Sequence, residues 1–140
     1  MAQALESIYY TISYRGREGH WAWLLHRVAG IGILLFLFLH IVDIFLVGVG
    51  EEIFTKFLFI YSHPLFKVAE LALIFGVLYH AFNGVRIILV DFRPERFSNW
   101  KTQRTMFRIV LVVTLIFFIP AAITTIGPLF HFEPPWWIPL

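Results

Sequence analysis

The 140-residue sequence has no cysteine. That excludes disulfides, a thiolate nucleophile and iron–sulfur ligation by this chain, and it leaves the redox compartment open. Charge is scarce too: 14% of residues are Asp, Glu, Lys or Arg, against about 25% in an average soluble domain. The formal net charge of +2 is too small to argue for nucleic acid. There is no HExxH, phosphate-binding loop, nucleophile elbow or CxxC. Internal repeats and low-complexity tracts are missing as well. The first twenty residues are mixed and polar and do not read as a cleavable signal, so retention of the N-terminus is expected.

What is present is apolar. The sequence is 59% hydrophobic, with a mean hydropathy of +0.78. A soluble fold of this size could not hide so much apolar surface, so lipid must solvate it. Three long apolar runs stand out, from about Trp21 to Val49, Pro64 to Phe92 and Met106 to Pro128. Each exceeds the roughly 20 residues that a helix needs to cross the hydrocarbon layer. Backbone in lipid must satisfy its own hydrogen bonds, so helices are expected rather than open strands. The reading is an all-α membrane protein of three transmembrane helices, forming a single transmembrane domain over residues 1–140. Pro120 should kink the third helix or free a carbonyl.

The loops differ in charge. Arg15, Arg17 and Arg27 lie at the first end, and Arg93, Arg96, Lys101, Arg104 and Arg108 around the second connection. The first connection holds only Lys56 and Lys67, beside Glu51 and Glu52. By the positive-inside rule the N-terminus and second connection face the cytoplasm, which places the chain in the cytoplasmic membrane. Trp21, Trp23 and Trp100 read as interfacial anchors on that side, and Trp136 and Trp137 on the other.

Ionisable side chains are expensive within a span, and those that remain are functional candidates. His80 is the most informative. Gly76 precedes it by four residues and Gly84 follows by four, so the three share one helix face. An imidazole on a strip without side-chain bulk suits an axial ligand to a flat haem. The alternative is a histidine bonded to a neighbouring helix, with glycines for close helix packing. His26 and Arg27 sit at the cytoplasmic start of the first span, where haem propionates or a quinone headgroup would lie. For Arg27 the plainer reading is an interfacial snorkelling side chain. His40 lies fourteen residues after His26, on nearly the same helix face and about 21 Å further on. It is a candidate ligand for a second haem; the alternative is a bond to a carbonyl or to Asp43. Asp43 and Glu70 are candidates for pairing with a partner's helices, and His63 and His131 read as solvated.

Two segments resemble a known family. Trp23-Leu-Leu-His26-Arg27-Val-Ala-Gly30 is similar to the first-helix motif of the cytochrome b subunit of succinate dehydrogenase, where Ser-x-x-His-Arg-x-Ser/Thr-Gly is usual. His80-Ala-Phe-Asn-Gly84-Val-Arg86-Ile-Ile-Leu-Val-Asp91 resembles its second-helix motif. The likeness is strongest to the actinobacterial-type membrane subunits, which share His40, Asp43 and Glu70.

The resemblance implies half of a haem-binding helical bundle, completed by a companion membrane-anchor subunit. His80 matches the axial ligand to haem b iron. His26 and Arg27 match residues near the propionates and the quinone pocket, and Arg86 and Asp91 the inner end of the ligand helix. The implied partners are that companion, an iron–sulfur subunit and a flavoprotein subunit, in assemblies that are often trimers of the whole complex. The chain itself would be non-catalytic, passing electrons to a membrane quinone. A fumarate reductase anchor is the reverse form. A haem-free transport or assembly subunit, with Asp43, Glu70 and the histidines as a proton path, is the reading from another class. Two departures stand: the family's quinone-binding serine is Trp23 here, and an aromatic or histidine position is Ile87.

Overall fold

A computed structural model of the chain describes residues 18–61 and 63–127. Arg15, Arg17, His131, Trp136, Trp137 and the last residue expected in the third span, Pro128, lie outside these. Helix α1 runs over Glu18–Val49, α2 over Glu51–Tyr61, α3 over Pro64–Phe92, α4 over Pro94–Phe97 and α5 over Trp100–Ile126. Among the described residues there is no strand. Helices α1, α3 and α5 are long and apolar enough to cross a membrane.

The helix boundaries follow local chemistry. Gly50 ends α1 with φ 145°, a backbone conformation that L side chains rarely adopt. The chain then re-enters a helix at once, so the first connection is mostly the eleven-residue α2, which hydropathy reading leaves as a loop. His63 caps α3, its Nδ1 accepting from the Leu65 N–H at 3.2 Å, and Pro64 fills the first helical position. This exposed histidine is therefore a cap as well as a solvated group. Asn99 caps α5 by accepting from the Lys101 N–H at 3.1 Å. That cap starts the helix at Trp100, six residues before the apolar run expected at Met106, so its first turns carry the basic residues Lys101 and Arg104. Helix α5 continues through Pro120, whose missing N–H leaves the Ile116 carbonyl without its usual helical donor.

Helix α3 is the centre of the fold, packing against α1 on one side and α5 on the other. The core is small: Ala22, Tyr79, Phe107 and Val110 are buried, with Leu25, Ala29, Phe75, Phe82 and Leu111 packed round them. It sits toward the basic end of the bundle. There the Glu18 carboxylate and the Arg104 guanidinium pair at 2.7 Å, tying the starts of α1 and α5 together. Such a part-exposed pair contributes only about 0–1 kcal/mol. Elsewhere large apolar side chains face outward, Phe45 at 70% exposure and Ile116 at 60% among them. Surface of this kind needs lipid or neighbouring subunits to cover it.

Candidate functional site

The seam between α1 and α3 holds the two central histidines. The His80 Nδ1 lies 3.1 Å from the His26 backbone oxygen. A carbonyl only accepts, so this bond places the imidazole proton on Nδ1 and leaves the lone pair on Nε2. The two imidazoles stack with centroids 3.9 Å apart and planes 9° from parallel. The close approach needs glycine: a Cβ at Gly30 would stand 3.1 Å from His80 Cε1 and 3.4 Å from Nδ1. The His26 Nδ1 is buried without a partner.

The glycine strip around His80 is not an open wall. A Cβ at Gly76 would meet Ala29 at 3.8 Å, and one at Gly84 would meet His26 Cε1 at 3.9 Å. Within this chain the strip lies against α1 at ordinary packing distance.

Although adjacent in sequence, His26 and Arg27 diverge. His26 turns into the seam, while Arg27 is exposed, its Cζ 4.3 Å from the centre of the Trp23 ring. Trp23 also stacks with His20, centroids 5.8 Å apart at 27°. Arg86 is buried. Its guanidinium donates to Asn83 Oδ1 at 3.2 Å and to Gln103 Oε1, and Gln103 Nε2 donates to the Phe97 carbonyl at 2.8 Å. Arg86 thus joins α3 to α4 and α5, and its Nε and the Asn83 Nδ2 remain without partners. Asp91 is exposed on the last turn of α3. The partnership with Gln103 was not foreseen; the one signal for it is a polar residue close to the start of the third apolar run.

Toward the Gly50 end of α1, Asp43 does not pair with His40. Both its oxygens accept from the Tyr61 hydroxyl, at 3.0 and 3.1 Å, because α2 folds back along α1. Burial first, and then the bond to Asp43, push the Tyr61 hydroxyl pKa above its usual range. Glu70 pairs with Lys67 of its own helix at 3.0 Å. His40 does not face a bundle interior made by this chain; it is exposed and stacks on Phe36 at 5.7 Å. Tyr79, next to His80 and fully buried, was also missed: its hydroxyl donates to the Ala22 carbonyl at 3.1 Å and locks α3 to α1. A groove of about 870 Å³ runs along these two helices, from Leu25 and Tyr79 to Leu39 and Tyr61; His80 does not line it.

Among the described residues no three His, Cys, Asp or Glu side chains converge on a bare metal ion. A haem asks less, a single axial nitrogen from this chain. His80 fits that demand, since its tautomer is fixed by a backbone carbonyl and its Nε2 keeps the lone pair.

Three membrane-crossing helices around a histidine-bearing seam define a multi-pass, all-helical membrane protein. Residues 9–121 match the family described as the succinate dehydrogenase/fumarate reductase transmembrane subunit, and the chain belongs to that family. It is 37% identical over 110 residues, 79% of each chain, to the succinate dehydrogenase 2 membrane subunit SdhC of Mycobacterium tuberculosis. The chain is thus a membrane-anchor subunit of the actinobacterial type, part of an enzyme complex.

Proposed function

We propose that this chain is the haem b-binding anchor of a succinate:quinone oxidoreductase. In that complex succinate becomes fumarate at a flavoprotein, releasing two electrons and two protons. An iron–sulfur subunit carries the electrons to the membrane, where a quinone takes them with two protons and becomes quinol. The chain works without a dehydrogenase site of its own. It lies in the cytoplasmic membrane with its N-terminus inside, so that the basic ends of α1 and α5 receive the soluble subunits. A companion anchor completes the bundle, and the whole complex assembles as a trimer.

The observation that carries this reading is the bond between His80 Nδ1 and the His26 carbonyl, which leaves Nε2 for iron. Haem b would supply a one-electron store when bound. His80 would hold it, and His26 and Arg27 would serve the propionates or the quinone carbonyl from the same end of α1. Arg86 and Asp91 mark the inner end of the ligand helix. The buried Arg86 fixes α3 against α5, so the register of His80 is held from below.

The test is a reduced-minus-oxidised spectrum of the purified complex with its haem-to-flavin ratio. A ratio near one in the wild type, lost in His80→Ala, is expected. Haem content unchanged in His80→Ala would refute the ligand assignment. A ratio near two, lowered by His40→Ala, would make His40 a second ligand. A chain that purifies without haem or flavoprotein would favour the transport or assembly reading. Because the family covers both directions, fumarate reduction by the same complex is measured alongside.

A further inference from the structure

Trp23 stands where the family's quinone-binding serine is usual, and the structure gives it a different occupation. Its ring carries the Arg27 guanidinium at 4.3 Å, within the reach of a cation–π contact. His20 stacks on the same indole from the preceding turn. The three residues follow one another along one side of the first turns of α1. Arg27 is exposed, and so is Trp23 at 44%, so neither is fixed by packing in the core. An arginine at such a place ordinarily samples many rotamers and snorkels toward water. A guanidinium held over the indole face samples fewer rotamers, and its outward N–H groups stay available to an acceptor.

We propose that Trp23 is a positioning residue for the quinone. It acts through Arg27, presenting the guanidinium edge to a quinone carbonyl oxygen in place of the direct hydroxyl contact that a serine offers. This rests on the quinone-reducing role proposed above. The quinone touches Arg27, and Trp23 sets where Arg27 is.

The experiment measures quinone reduction by the intact complex, with rates normalised to flavin content. The probe is a short-tailed naphthoquinone or benzoquinone, whichever the wild type reduces faster. Trp23→Ala should raise the quinone KM about two- to thirtyfold, the range of one cation–π contact between exposed and desolvated sites, with a smaller change in kcat. Trp23→Phe keeps a π face and should recover most of the affinity. Trp23→Leu keeps apolar bulk without a π face and should resemble Trp23→Ala. In an Arg27→Gln background Trp23→Ala should add nothing further, since the residue it acts through is gone.

An unchanged KM in Trp23→Ala overturns the proposal. So does rescue by Leu equal to that by Phe, which marks a mere interfacial anchor, or full additivity with Arg27→Gln. A wild-type complex that reduces neither quinone overturns the proposed function and this inference with it; an active wild type with an indifferent Trp23 overturns this inference alone.

Discussion

Gly30→Ala tests the tightness of the α1–α3 seam directly. In a helix interior, alanine in place of glycine should stabilise by about 1 kcal/mol. Here the new methyl would stand 3.1 Å from His80 Cε1, where carbon atoms ordinarily pack about 3.5–4.0 Å apart. The imidazole has little freedom to retreat. It is stacked on His26 at 3.9 Å and bonded to the His26 carbonyl at 3.1 Å. Overpacking of this kind costs about 1–3 kcal/mol. The two effects oppose, and the net expectation is a loss of about 0–2 kcal/mol. Gly48→Ala on the same helix is the control, because a Cβ there meets nothing within 4 Å. It should be neutral or slightly stabilising. The assay is thermal unfolding of the two variants in the same detergent, with the haem-to-flavin ratio of the assembled complex as a second readout. Gly30→Ala should unfold a few degrees below Gly48→Ala and carry less haem. If it is as stable as the control and fully loaded, the close contact at His80 does not exist and the argument from it fails.

Tyr79→Phe removes the buried hydroxyl that donates to the Ala22 carbonyl, and should cost about 0.5–1.5 kcal/mol in thermal unfolding, with no effect on the absorption spectrum. Tyr61 should ionise late in an alkaline titration followed by tyrosinate absorbance, because burial and Asp43 favour its neutral form. Any stability that this neutral hydroxyl contributes is present below pH about 10 and lost as pH rises toward the higher folded value. Tyr61→Phe should remove one phenol from the late part of the curve, and an unaltered titration curve would show that Asp43 does not hold the phenol. The absence of cysteine makes orientation easy to check. On intact spheroplasts a membrane-impermeant maleimide should label Glu52→Cys on α2 and spare Ser98→Cys between α4 and α5; the reverse pattern would invert the topology.

Some of the site is legible in a single helix. His80, Gly76 and Gly84 share a face by their spacing alone, and the isolation of His80 in a long apolar run marks it as costly. What lies against that face is not legible. The strip could have met a macrocycle or a helix, and α1 is what meets it, through Ala29 and His26. His40 illustrates the same limit. A step of about 100° per residue returns it to the face of His26, but faces are shared only while the helices stay together. Toward the Gly50 end that face of α1 is not covered by this chain's own helices, and His40 is exposed.

The sequence by itself determined the three spans, their charge asymmetry and the isolation of His80 within an apolar run. Those are properties of composition and length, and each span expresses them locally. Only the tertiary structure decided the partners: Tyr61 for Asp43, Gln103 for Arg86, the His26 carbonyl for His80, and the Trp23 face for an Arg27 turned away from the seam. All but the last join residues on different helices, so they depend on the register in which those helices pack. That register is set by small residues, buried hydroxyls and the fold-back of α2, which no periodicity within one helix contains.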